Sequence, residues 1–188
     1  MEDSAAKFPD CVAYDFMGKE FTYRDVMDQV NRMARGLQDL GVGTGSNVGI
    51  FMPNCPQFAV AYFGILKAGG TVVNYSPLYS EQELINQVEE TDTDVMITLD
   101  LEALYPTIRK VAQKSRLKHL VVDRFSNALP FPKNILFRLL KGGMVAKIIP
   151  DARYVDYQKL LDNDGTPDAV DIGVYEHAAG RQCTGGAT

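Results

Sequence analysis

Apolar residues along this chain keep two periods, and the two take turns. Between Thr22 and Gly41, the positions Val26, Val30, Met33, Leu37 and Leu40 recur at spacings of four and three, which predicts one buried stripe on an amphipathic helix. Thr22 precedes the stripe as a cap, with Asp25 three residues on as a short version of the capping box. Gly41 supplies the left-handed residue that ends the helix. Upstream, Val12–Phe21 reads as a hairpin turning at Met17-Gly18-Lys19.

Downstream, short strand-like runs are separated by helical ones. The strands are Asn47–Met52, Thr71–Val73, Val95–Leu99 and His119–Val122. Between them lie a helix over Gln57–Lys67, a helix from the Ser80/Glu83 capping box to about Glu90, and a helix with Leu104, Ile108 and Val111 on one face. Pro106 belongs in the first turn of the last of these, where a missing N–H costs nothing. Strands joined through helices pair in parallel with right-handed crossovers. The fold class is therefore α/β, a predominantly parallel sheet flanked by helices. Gln57–Lys67 is apolar nearly all round, so both of its faces should be covered. Gly41-Val42-Gly43-Thr44-Gly45 follows a helix and opens a strand, the reverse of a dinucleotide-binding loop, and reads as a plain turn.

Arg124–Pro150 breaks the rhythm. It carries Arg124, Lys133, Arg138, Lys141 and Lys147 with no acidic residue, interleaved with Phe, Ile, Leu, Met and Val. Pro132, Gly142 and Gly143 limit any helix in it to about Lys133–Lys141. Two placements follow for residues 131–149. They lie peripherally on a membrane surface, or they pack on the protein with apolar residues against the sheet and cations in water. Acidity returns at Asp151, and a short helix is expected around Val155–Leu161.

Composition narrows the function classes. Hydrophobic residues at 46% and charged residues at 23% fit a globular domain rather than a disordered chain. A net charge of -5, with no basic aromatic motif, argues against nucleic acid as a partner. Cys11, Cys55 and Cys183 are scattered and odd in number, which fits a reducing cytoplasm better than a disulfide framework. His119 and His177 lack metal-ligand spacing, so no zinc site is expected. The acidic N-terminus is unlike a signal peptide, and no apolar run reaches the roughly 18–20 residues that span a bilayer.

The strongest chemical signal is Thr184-Gly185-Gly186-Ala187-Thr188. Adjacent glycines let backbone N–H groups crowd an anionic oxygen, and threonine hydroxyls add donors. Phe21-Thr22-Tyr23-Arg24-Asp25-Val26 resembles the first core motif of adenylate-forming enzymes, and Leu66-Lys67-Ala68-Gly69-Gly70-Thr71 the second, at the family's spacing. Thr184–Thr188 resembles the start of the third, the ATP-phosphate loop. Phe51–Phe58 and Val73–Tyr79 resemble the long-chain fatty-acid–CoA ligase branch.

That resemblance, over roughly Phe8 to Gly165 and the last few residues, implies two-step chemistry. A fatty acid carboxylate attacks the α-phosphorus of ATP, giving acyl-adenylate and pyrophosphate, and coenzyme A thiol then displaces AMP. It implies that Thr184, Gly185, Gly186 and Thr188 contact the ATP phosphates, with Mg2+ accompanying the nucleotide. It also implies that residues 1–188 are part of the AMP-binding domain, cut within the loop. The adenine pocket, the C-terminal domain and its catalytic lysine would lie beyond Thr188, so this chain has no catalytic residue of its own and is expected to be inactive alone. Two alternatives stand beside this reading: a ligase of the same family for an aryl or medium-chain acid, and a non-catalytic α/β binding module. One local departure is notable. Tyr175–Cys183 stands where the family has three residues, and Glu176, His177, Gly180 and Arg181 suit a buried parallel strand badly.

Overall fold

The hairpin forms where its alternation and turn residues place it. In the computed structural model, which describes residues 1–171 and 178–182, β1 (Val12–Phe16) and β2 (Lys19–Thr22) pair antiparallel. Met17 and Gly18 both take positive φ, the conformation that a two-residue turn of the right twist requires. Ahead of it lies a short helix, α1 (Glu2–Lys7), which the apolar pattern does not announce because it buries no residue.

Thr22 then starts α2 (Tyr23–Asp39) through a complete capping box. Its hydroxyl accepts from the Asp25 N–H, and the Asp25 carboxylate accepts from the Thr22 N–H. Val26, Val30, Met33 and Leu37 are all buried on the expected stripe, and Gly41 has φ +87 beyond the helix end. The alternating elements that follow are β3 (Asn47–Phe51), α3 (Pro56–Lys67), β4 (Thr71–Asn74), α4 (Glu81–Glu90), β5 (Thr93–Leu99), α5 (Tyr105–Lys114) and β6 (His119–Asp123). Ser80 and Glu83 form the second capping box, at the start of α4.

Three additions complete the sheet and its cover. β7 (Tyr154–Asp156) and α7 (Tyr157–Leu160) stand where a single helix over Val155–Leu161 is expected. Tyr154–Asp156 is a three-residue edge strand, too short to show a period, and Asp156 caps the shortened helix by accepting from the N–H groups of Gln158 and Lys159. β8 (Gly180–Gln182) is the second correction. It pairs in parallel with β4, Val72 opposite Gly180 and Asn74 opposite Gln182, despite a sequence that suits a buried strand badly. The reason is its place on the edge of the sheet, where Gly180 and Arg181 are exposed.

The sheet is parallel throughout, in the order β7-β6-β5-β3-β4-β8. Val48, Ile50, Val72, Val73, Met96, Ile97 and Val121 form its buried centre. Right-handed crossovers put the helix between β3 and β4 on one face and those leading to β5 and β6 on the other. α3 accordingly packs with α2, and α4 with α5. A Cβ on Gly64 would run into the Cγ and Cβ of Met33, so the α2–α3 approach depends on that glycine. The cover on α3 is one-sided: Val60, Ala61 and Ile65 are buried, whereas Phe58, Tyr62, Phe63 and Leu66 are half-buried.

The basic excursion forms α6 (Lys133–Leu140) between two short 3₁₀ turns. The excursion divides: Ala146 is buried in the core and Ile148 packs against it, whereas the apolar residues of α6 do not pack against the sheet. No residue of α6 is buried, and Phe131, Ile135, Leu136, Leu139, Leu140 and Met144 are exposed.

Candidate functional site

In open parallel sheets, ligands bind outside the carboxyl ends of the strands, where neighbouring connections leave to opposite faces. Here that point lies between β3 and β5, since the chain goes from β3 to β4 on one side and returns to β5 on the other. The loops Met52–Cys55, Tyr75–Ser80 and Asp100–Leu104 rise from this edge. Thr98 Oγ1 donates to the Phe51 carbonyl at 2.8 Å and ties the two central strands together just below it. The glycine-containing turn 41–45 lies at the opposite edge, before β3, in keeping with its reading as a turn.

Beside this point, a polar cavity of about 400 Å³ is lined by Asp100, Asp123, Arg124, Asn127, Asp156 and Gln158 among others. Asp123 ends β6 and is only 2% exposed. Three side-chain amides donate to its carboxylate: Gln57 Nε2 at 3.1 Å, Asn127 Nδ2 at 2.7 Å and Gln158 Nε2 at 2.9 Å. Burial raises its pKa, and these donors only partly offset the effect. Asp100, at the end of β5, accepts from the Phe125 N–H at 2.8 Å, and burial raises its pKa too. Asp123 thus latches the start of α3, the turn after β6 and the start of α7 to one strand end. Its acceptor sites are taken by amides, so the group holds loops in place rather than serving as a free base.

Thr184, Gly185, Gly186 and Thr188, the residues singled out for phosphate, lie outside the described residues, as do Glu176, His177 and Cys183. Gln182, the last described residue before them, sits at the C-terminal end of β8, level with Asn74 on the ligand edge of the sheet. Glycine N–H groups and threonine hydroxyls offer donors without a negative charge, which suits an anion. Among the described residues, no group of three or more His, Cys, Asp or Glu side chains could hold a metal ion.

Comparison with known proteins now decides the family. The sequence profile of AMP-binding enzymes matches residues 1–142. The chain belongs to the AMP-binding enzyme family. One curated relative, the long-chain-fatty-acid–CoA ligase of Bacillus subtilis (strain 168), is 42% identical over 139 residues, 74% of this chain and 24% of that protein. Another, the long-chain-fatty-acid–CoA ligase of Escherichia coli O6:H1, is 32% identical over 193 residues, covering 100% of this chain and 34% of its own length. Among solved structures, a long-chain-fatty-acid-CoA ligase from Archaeoglobus fulgidus superposes with a TM-score of 0.74 over 100% of this chain and 34% of that one, at 17% identity. That last likeness is one of fold. The chain therefore spans about a quarter to a third of the length of these AMP-binding relatives.

Within this AMP-binding chain, sequence reasoning did not single out Asp123. The available signal was an acid directly after the apolar run His119–Val122, at the carboxyl end of a parallel strand.

Proposed function

We propose that this chain is the N-terminal portion of an ATP-dependent acid–thiol ligase, which activates a long-chain fatty acid as acyl-AMP and transfers it to coenzyme A in the cytoplasm. The observation that carries the reading is the 42% identity to a long-chain-fatty-acid–CoA ligase across most of the chain. The order of the three motifs along the sequence supports it.

On this reading, ATP supplies the leaving pyrophosphate and Mg2+ travels with its phosphates. Thr184, Gly185, Gly186 and Thr188 present hydroxyl and backbone N–H donors to those phosphates. Donors fixed before the reaction stabilise charge as it develops, without reorganising. Ala187 stands where the family has a threonine, so one hydroxyl donor is missing from the loop. The strand-end latch at Asp123 holds the loops at the carboxyl edge of the sheet. Acyl-CoA formation by the full-length protein, followed with palmitate, octanoate and benzoate in parallel, tests the substrate class. Palmitate is expected to give the highest kcat/KM. Preference for octanoate or benzoate would move the assignment to a medium-chain or aryl-acid ligase, and no thioester with any acid would favour a non-catalytic module.

A further inference from the structure

We propose that the face formed by Phe131–Met144 is a docking surface for an anionic lipid membrane. The surface is built in two parts. α6 is pinned to the protein by Phe137, whose ring lies tilted against Phe125 at 5.2 Å, while Phe125 meets Phe16 edge-on at 6.2 Å. With Phe137 turned inward, and at about 100° of rotation per residue, Ile135, Leu136, Leu139 and Leu140 fall on one outward arc. Leu139 and Leu140 are 73% and 74% exposed, and Phe131 extends the arc at 79%.

Cations border this arc. Arg138 flanks it on one side and Lys133 on the other, with Lys141 at the helix end and Lys147 beyond. Lys133 is engaged with the Met17 carbonyl at 2.7 Å and braces the helix against the hairpin turn. Among the described residues, no ion pair involves Arg138, Lys141 or Lys147, and no Asp or Glu occurs between Arg124 and Pro150. An apolar face edged by basic side chains is the arrangement that lies in a headgroup boundary, with long side chains reaching up to lipid phosphates. Two acids from another element lie beside the patch: Asp100, which feels the charge of Arg138, and Glu102, whose N–H donates to the Met144 carbonyl. Against them Arg138, Lys141 and Lys147 leave a local positive excess on a chain that carries -5, which orients the molecule toward an acidic surface. No helix among the described residues is long and apolar enough to cross a membrane, so the contact is peripheral. Two helical turns bind weakly in isolation because they must first be ordered, but α6 is already held in its fold by Phe137 and Lys133.

The test uses the full-length protein and sedimentation with phosphatidylcholine vesicles, with and without phosphatidylglycerol. Binding to the acidic vesicles at low salt is expected, and little to the neutral ones. The triple variant Arg138→Gln, Lys141→Gln, Lys147→Gln should bind on the order of 100-fold less, at about fivefold per cation near the surface. Leu139→Ser with Leu140→Ser keeps the charges and should make the remaining binding easily removed by salt. Circular dichroism and thermal melts of both variants establish that they are folded. Hydrogen exchange over residues 131–144 should slow when acidic vesicles are added. The proposal is overturned if the wild type does not bind acidic vesicles at low salt, or if it binds neutral ones equally. It is equally overturned if the folded triple variant binds unchanged, or if the segment is protected without vesicles and unaffected by them, which would mean that the rest of the polypeptide covers it.

Discussion

Asp123 offers a way to test the packing of the ligand edge by changing one side chain. Its carboxylate is 2% exposed and accepts from the amides of Gln57, Asn127 and Gln158, and among the described residues no Lys or Arg pairs with it. Asp123→Ala strands those donors. Asn127 and Gln158 are exposed and can turn to water, but Gln57 is buried and cannot. Gln57 Nε2 keeps its longer 3.4 Å bond to the Arg124 carbonyl, so one buried N–H is left without an acceptor, which costs about 1–3 kcal/mol. The alanine variant should therefore lose about 2 kcal/mol, or roughly 4–8 °C in Tm for a chain of this size. Asp123→Asn is a different case. Its carbonyl keeps Asn127 and Gln158, both of which bond one carboxylate oxygen. Its new NH2 meets Gln57, whose buried Oε1 has no hydrogen-bond partner among the described residues and can accept once the amide turns over, at the loss of the long 3.4 Å bond from Gln57 Nε2 to the Arg124 carbonyl. That variant should stay within about 1 kcal/mol of wild type.

The sign with pH follows from the raised pKa. Between the ordinary carboxyl value and the raised one, the folded state keeps a proton that the unfolded state has lost. The Asp123 contribution to stability is therefore fully present below the ordinary value and is lost as pH rises through that window. Asparagine does not titrate, so its stability relative to wild type should improve as pH rises from below the ordinary carboxyl value through the raised one. Urea denaturation of the three proteins across this range measures it, and the variant-minus-wild-type difference cancels other titrating groups. An asparagine variant as damaged as the alanine one, with a difference that does not move with pH, would refute the reasoning.

The remaining predictions concern the helices. Gly64→Ala should lower stability by about 1–3 kcal/mol in thermal melts, because its methyl group is driven into Met33 where α2 and α3 meet. Met33→Ala in the same protein should recover part of the loss, since it removes the clashing atoms. Thr22→Ala and Ser80→Ala should each cost about 1 kcal/mol by removing the side-chain acceptor of a capping box. The two losses should add, since the caps lie on different helices, and an unchanged Tm in the double variant would contradict the cap geometry.

Most of the fold was legible because local signals agreed with one another. The α2 stripe, its cap and Gly41 all named the same helix, and the four central strands are each apolar runs bounded by turn residues. What was missed has a common physical cause. β7 and β8 are three-residue edge strands, and edge pairing needs no hydrophobic period, so Tyr154–Asp156 and Gly180–Gln182 carried no strand pattern. The exposure of α6 could not be read either, since Ile135, Leu136, Leu139 and Leu140 form the same stripe whether it faces a core or a solvent boundary. The glycine-rich string was legible by composition alone, and it lies outside the described residues. The Asp123 latch was not legible, because its three amides come from positions far apart in the chain.

The most direct test of the central assignment is exchange of labelled pyrophosphate into ATP by the full-length protein, with palmitate present and coenzyme A absent. The ligase reading predicts palmitate-dependent exchange. It also predicts that Thr184→Ala or Thr188→Ala lowers the exchange rate by about 10²-fold or more, since each removes a donor from developing phosphate charge. Exchange that persists undiminished in both variants would contradict the phosphate role of this loop, and no exchange with any carboxylic acid would contradict acid activation itself.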